Sequence, residues 1–235
     1  MSVPRYSLIV PFFNEVGNIG PLMERAVAVL RSLPGDFEAL LVDDGSSDGT
    51  APELEAIAAR EPCCRVIRFA QNQGQAAALY EGLQRARGEL ILTMDGDGQN
   101  APDDFPALLD RLERDPADLV CGIRTPRHDP AARRAMSWLA NQVRRRILRD
   151  HLHDGGCQLR VLRREIIATL QPSPLLQAFL PAIAAAAGFR LAEMPVRHHP
   201  RRQGTSKYGL RQLWWKPAAE MIRLWIRLRR RRRHR

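Results

Sequence analysis

An α/β fold built on a mostly parallel sheet is predicted for this chain of 235 residues. Three observations predict it. Short apolar runs alternate with helix-patterned segments through the first two thirds of the chain. The runs read as buried strands joined by helical crossovers. Each run also ends in acids or amides, at the strand ends where open α/β sheets bind ligands.

The elements follow in order. "YSLIVP" (6–11) reads as a strand stopped at Pro11, and a helical pattern covers about 17–32. "FEALLVDD" (37–44) is the next strand, with a helix near 50–60. "CRVIRFA" (64–70) leads to a helix over 74–88 that Gly88 closes. "GELILTMD" (88–95) is followed by a helix near 102–114 and the strand "ADLVCG" (117–122). The strand ends carry Asn14–Glu15, Asp43–Asp44, Gln71–Asn72 and Asp95–Asp97, which together point to one composite site. After residue 123 comes an arginine-studded helical region, then the strands "CQLRVL" and "FRLAEMPVRHH". From Gly209 onward Leu210, Leu213, Trp214, Met221, Trp225 and Leu228 recur at helical spacing, interrupted at Pro217.

The composition, 45% hydrophobic and 26% charged, is that of a folded protein and excludes wholesale disorder. The length suits one domain. No charged segment followed by an apolar run opens the chain, so a cytoplasmic protein is expected. Residues 166–189 carry no charge and are long enough to span a bilayer, but Pro172, Pro174 and Pro181 interrupt them. A loop and a buried helix over about 175–188 is the expectation there. Cys63, Cys64, Cys121 and Cys157 lack metal-ligand spacing and are expected as thiols.

Net charge is +10, but residues 223–235 hold eight arginines and no acid, which leaves only +2 for the rest. Such a tail seeks lipid headgroups or nucleic acid. Tryptophans beside it fit a helix lying in a membrane interface. No nucleic-acid recognition module or basic–aromatic platform is present, so no nucleic-acid partner is expected.

Two acidic motifs carry the chemistry. "DDGSSDGTAPELE" nearly fits a calcium loop from Asp44 to Glu55, but a strand enters it, not a helix. "DGDGQNAPDDFP" fails that pattern, because Asn100 stands at the glycine position and Pro106 at the glutamate position. Each alone is equally a strand-to-helix turn with side-chain caps. Together they suit a nucleotide-diphosphate site. Asp95 and Asp97 can turn to one side of an extended segment and hold a divalent ion, with Gln99 adding an oxygen. Asp44 is placed to accept hydrogen bonds from a base or ribose.

"VPFFNEVGNI", "LLVDDGSSDGT", "NQGQAAAL", "MDGDGQNAPDDFP", "GIRTPR", "DGGCQLRVLRRE" and "HHPRRQGTSKYG" stand in the order found in family 2 glycosyltransferases. Over about residues 4–212 the chain resembles their dolichyl-phosphate mannosyltransferase-like, or polyprenyl-phosphate glycosyltransferase, branch. That resemblance implies a Rossmann-like GT-A domain, here 1–212; the residues beyond it, 213–235, read by their own composition as an amphipathic, arginine-rich interface segment. It implies an inverting, metal-dependent transfer from a nucleotide sugar of the GDP-mannose or UDP-hexose type to a polyprenyl phosphate, on the inner face of the membrane.

On matching positions the resemblance implies that Asp95, Asp97 and Gln99 hold Mg²⁺ or Mn²⁺ and the donor diphosphate. Pro11, Glu15 and Asp44 would line the nucleotide pocket. Arg124, Arg133 and Ser137 would receive the acceptor phosphate. Arg201 and Lys207 would close over the diphosphate. Asp97, Arg124, Arg133 and Asp154 form the expected catalytic set; Asp154 either orients a positive group or the acceptor, or caps a turn.

Relatives often read Asp-Ala-Asp or Asp-Ser-Asp where this chain has "DGDG", and the two glycines suggest a looser loop. The transmembrane hairpins of many relatives are not seen, which leaves room for a separate membrane subunit. A phosphate acceptor, already largely dianionic at neutral pH, needs arginines rather than a general base. The other readings are a soluble glycosyltransferase acting on a hydroxyl, which would need a carboxylate base, and a basic nucleic-acid-binding protein.

Overall fold

The computed structural model describes residues 3–125, 142, 145, 146, 148, 152–199 and 221–226. Seven strands form one sheet: β1 (Tyr6–Phe12), β2 (Phe37–Asp43), β3 (Cys64–Arg68), β4 (Leu90–Thr93), β5 (Leu119–Arg124), β6 (Arg160–Arg163) and β7 (Leu191–Val196). Their order is β3-β2-β1-β4-β6-β5-β7. β6 is antiparallel to both its neighbours, β4 and β5; the other pairings are parallel. The helices are α1 (Ile19–Ser32), α2 (Thr50–Arg60), α3 (Gln75–Arg85), α4 (Phe105–Arg114) and α5 (Leu176–Ala186).

Side-chain alternation along the strands divides the core in two. Leu8, Val10, Leu41, Leu92 and Val161 pack under α1, α2 and α4 with Leu22, Leu54 and Phe105. Ile9, Leu40, Ile91, Leu119 and Leu162 face α3 and α5 with Leu79, Leu83, Phe179 and Ile183. Both faces are thus covered, as the apolar runs require.

The 166–189 segment divides into a 3₁₀ helix (Arg164–Thr169), a connection, and the 11-residue α5, buried along much of its length. Among the described residues no helix is long and apolar enough to cross a membrane. Residues 221–226 are helical; Leu224 is buried, Met221 and Trp225 pack on the α5 side of the core, and Ile222 and Ile226 are exposed. The described part of the last helical pattern therefore rests on the domain.

Two local expectations change. Gly88 does not close α3, which ends at Arg85 with Ala86 extended. Instead its amide donates to the Ser7 hydroxyl at 2.7 Å, and a Cβ there would lie 2.6 Å from the Ser7 nitrogen. The glycine is required by close approach to β1. The helix expected from residue 102 opens with a separate 3₁₀ turn, Pro102–Asp104, before α4.

Candidate active site

The carboxyl ends of β1, β2, β3 and β4 are tied together by their polar residues. Asn14, in the left-handed region at φ 51°, donates its amide to the Ser46 hydroxyl at 3.0 Å and accepts the Ser47 amide at 2.9 Å. Glu15 is buried; its carboxylate accepts the Asn18 side-chain amide at 2.9 Å, and its own amide donates to the Thr50 hydroxyl. Asp48 accepts the Thr50 and Val16 amides. Burial opposes ionisation of Asp48, but the bonds from Thr50 and Val16 outweigh it and hold the carboxyl below its ordinary value.

Asp44 occupies the junction of β2 with the loop before α3. One carboxylate oxygen accepts the Gln73 amide at 2.7 Å; the other accepts the Gly74 amide and the Asn72 side chain, both at 2.9 Å. Burial is the main influence on this group and raises its pKa; the bonds from Gln73 and Gly74 pull the other way. Asp44 therefore already has protein partners at both oxygens and fixes the wall formed by residues 72–74. Gln75, at the start of α3, reaches on to Asp95 at 2.5 Å.

The turn after β4 is tightly built. The Asp95 amide donates to the Asn100 side chain at 2.9 Å, and Asp97 accepts the Gln99 amide at 3.1 Å. Asn100 forms a β-bridge with His198, and the His199 amide donates to the Gln99 carbonyl at 2.9 Å. The side-chain amide of Gln99 lies 3.4 Å from the His199 carbonyl. The segment entering the arginine-rich 201–207 stretch is thereby joined to the acidic turn.

The two glycines of this turn act differently from the looser loop the sequence suggests. A Cβ at Gly96 would lie 2.4 Å from the Phe12 ring and 2.7 Å from the Pro11 carbonyl oxygen, so packing forbids a side chain there. Gly98 has φ +73° and open space around it, and is needed for its backbone conformation.

Among the described residues no three His, Cys, Asp or Glu side chains gather as a metal cluster. Asp95 and Asp97 are half-buried and bring two carboxylates to one short turn. Oxygen donors of this kind suit a hard divalent ion whose remaining positions are filled by phosphate and water.

Across β6, at the end of β5, Arg124 is paired bidentately with Asp154: Nε donates to one oxygen and Nη2 to the other, both at 2.8 Å. Asp154 is 2% exposed and also accepts the Gly156 amide at 3.2 Å, so it both orients an arginine and caps a turn. Neighbouring strands are about 4.8 Å apart, so Thr93 at the end of β4 and Cys121 on β5, both paired with Arg160, stand about 10 Å from each other, and Arg124 lies three residues further along β5.

Two contributors escaped sequence reading. Arg160, at the start of β6, is fully buried and donates through Nη2 to the Gly155 carbonyl at 3.1 Å; among the described residues nothing hydrogen-bonds its Nε or Nη1. Glu193 on β7 accepts the amides of His153 and Asp154. Arg160 read as an ordinary strand residue, and nothing local to residue 193 signals a partner forty positions away. His153 is exposed and bonded to Glu193. Arg133, Ser137, Arg201 and Lys207 lie outside the described residues.

The glycosyl transferase family 2 model matches residues 7–170, which takes in both acidic turns and Arg124, Asp154 and Arg160. The chain belongs to glycosyl transferase family 2. One relative, the dodecaprenyl-phosphate galacturonate synthase of Rhizobium johnstonii, is 43% identical over 208 residues, covering 87% of this chain and 62% of that protein. The undecaprenyl-phosphate 4-deoxy-4-formamido-L-arabinose transferase of Pseudomonas paraeruginosa is 38% identical over 208 residues, covering 88% and 61%. The chain thus spans about three fifths of the length of these two relatives.

Among solved structures, glucosyl-3-phosphoglycerate synthase from Mycobacterium tuberculosis, in complex with Mn²⁺, UDP and phosphoglyceric acid, is similar with a TM-score of 0.72 at 19% identity. The match covers 96% of this chain and 78% of that one. A mannosyltransferase from Pyrobaculum calidifontis in complex with GDP-Man and Mn²⁺ has a TM-score of 0.63 at 21% identity, covering 96% and 65%. These likenesses place the fold as GT-A.

Proposed function

We propose that this family 2 glycosyltransferase moves a sugar from a nucleoside-diphosphate sugar to a polyprenyl phosphate. The observation that carries the reading is the placement, at the carboxyl ends of β4 and β5 with β6 between them, of the Asp95/Asp97 turn and the Arg124–Asp154 pair. A two-carboxylate turn suits a donor diphosphate, and an arginine suits an acceptor phosphate. The names of the relatives, both polyprenyl-phosphate sugar transferases, support the acceptor class.

In this reading Asp95, Asp97 and Gln99 would hold Mg²⁺ or Mn²⁺, which when bound would supply positive charge beside the donor diphosphate. Pro11, Glu15 and the 72–74 wall fixed by Asp44 line the nucleotide pocket. Arg124, with Arg133 and Ser137, positions the acceptor phosphate, and Arg201 and Lys207 sit over the donor diphosphate. An acceptor phosphate oxygen attacks the anomeric carbon in line and inverts it. The carbon–oxygen bond to the diphosphate breaks, and the nucleoside diphosphate leaves with that electron pair. No general base is required, because the acceptor is already ionised. Asp154 supports this: its two oxygens are engaged by Arg124, which suits an orienting carboxylate better than a base.

The arginine run that follows the 221–226 helix, with Ile222 and Ile226 exposed beside it, supports a basic segment resting on an anionic membrane at its cytoplasmic face. A separate membrane subunit would fit the same arrangement. The test is to incubate the protein with undecaprenyl phosphate, Mg²⁺ or Mn²⁺ and a panel of GDP- and UDP-sugars, and to seek the glycolipid by mass spectrometry. A glycosyl phosphoryl polyprenol is expected with one donor. Transfer to a hydroxyl acceptor, or no product with any donor, would overturn the proposal.

A further inference from the structure

The turn that presents Asp154 is held at successive peptide groups. Glu193, on β7, accepts the His153 amide at 2.8 and 3.0 Å with its two oxygens, and the Asp154 amide at 3.2 Å. One of the same oxygens lies 2.8 Å from the His153 ring Nδ1. The Asp154 carbonyl accepts the Cys157 amide, and the Gly155 carbonyl accepts Arg160. Consecutive amides directed at one carboxylate make a small anion-binding nest, here filled from within the chain. The turn so fixed then sets Asp154, whose carboxylate receives the Arg124 amide, Nε and Nη2.

We propose that Glu193 is a positioning residue for Arg124, acting through the 153–156 turn and Asp154 without touching substrate. The proposal rests on the reading of Arg124 as a phosphate-binding residue. β7 is hydrogen-bonded along β5, with Cys121 opposite Glu193 and Arg124 opposite Val196. The strand that carries the arginine is thus braced against the strand that carries its distant support. Removing the carboxylate leaves two amides of the turn without their acceptor, and the turn must shift to find water or another partner. Asp154 moves with it, and the plane of the guanidinium is no longer fixed from one side.

Glutamine at this position is predicted to preserve the arrangement. Its carbonyl oxygen accepts the two backbone amides, while its NH₂ faces His153 Nδ1, which accepts in the other neutral tautomer.

Two readouts test the idea. With undecaprenyl phosphate and the donor found by the glycolipid screen, Glu193→Ala should lower kcat/KM for the acceptor by about tenfold to a hundredfold. Affinity for the nucleoside diphosphate should be unchanged. Glu193→Gln should stay within about threefold of the wild type. In an Arg124→Ala background, Glu193→Ala should add less than about twofold, because both changes act on one contact.

The second readout does not need turnover. The Arg124 side-chain Nε–H, followed by NMR, should be slow to exchange in the wild type and in Glu193→Gln, and exposed to exchange in Glu193→Ala. Equal impairment of the alanine and glutamine variants, additivity with Arg124→Ala, or an unchanged Arg124 signal in Glu193→Ala would overturn the positioning role. A wild-type protein that makes no glycolipid would instead overturn the proposed function, and the NMR comparison would still decide the role of Glu193.

Discussion

A single added methyl group at Gly156 separates the stability of the fold from the placement of Arg124. A Cβ there would lie 2.8 Å from Arg124 Nη2, whereas ordinary contact begins at 3.4 Å, so Nη2 must retreat by about 0.6 Å. The bond from Nη2 to Asp154, now 2.8 Å, then stretches beyond the range of a charge-assisted hydrogen bond, while Nε remains the pivot. The obstruction is the far end of a long, partly exposed side chain, so the lost bond costs about 1 kcal/mol of stability after screening by solvent. Gly156 is not in the positive-φ region, so alanine also recovers about 0.4–1 kcal/mol by restricting the unfolded chain. Gly156→Ala should therefore leave the urea unfolding free energy within about 1 kcal/mol of the wild type. The displaced guanidinium should nevertheless lower kcat/KM for undecaprenyl phosphate by about tenfold, equivalent to about 1.4 kcal/mol of transition-state stabilisation. Steady-state kinetics and urea titration of the same preparation decide the matter. Unaltered kinetics, or a stability loss above about 2 kcal/mol, would refute the reasoning.

Three further outcomes are expected. Gly45→Ala places a Cβ 2.4 Å from the Gln71 carbonyl carbon at φ +68°, where the obstruction is backbone, and should cost about 2–5 kcal/mol in chemical unfolding. Burial alone would raise the Glu38 carboxyl, but the Ser7 hydroxyl and the Arg87 amide and guanidinium outweigh it and lower the pKa. Its ionised form thus adds stability that is fully present above the ordinary glutamate range and is lost as pH falls through the depressed value. Glu38→Gln should be less stable by about 1–2 kcal/mol at pH 7, with the gap to wild type closing below about pH 4 in pH-dependent unfolding. Deleting residues 227–235, which removes seven arginines but keeps the buried Leu224, should weaken sedimentation with anionic vesicles by at least about tenfold and spare nucleotide binding. Unchanged vesicle association would contradict the membrane role of the tail.

Much of the site was legible because strand ends in an open α/β sheet have few roles to fill. Asn14, Asp44, Asn72 and Asp95 stand at four of them, and the structure links their turns through hydrogen bonds. Less legible was what each group is already bonded to. Asp44 reads as a ligand-facing acid, yet the 72–74 loop engages both of its oxygens. Gly96 reads as a source of looseness until Phe12, from another strand, is seen against it. Gly88 reads as a helix stop, but its reason is the backbone of Ser7, far back in the chain. Glu193 carries no local pattern, because its partners His153 and Asp154 lie about forty residues away and meet it only in the folded sheet. Periodicity reports which face a residue occupies; it does not report which distant backbone will meet it there.

The central claim is that the Asp95–Asp97 turn holds the donor diphosphate for transfer to a lipid phosphate. The most direct measurement is glycolipid formation from undecaprenyl phosphate by the wild type and by Asp97→Ala, each with Mg²⁺ or Mn²⁺ and with chelator. Product is expected from the wild type with metal, and none above background from the variant or in chelator. Full turnover by Asp97→Ala, or product formation indifferent to chelator, would contradict it.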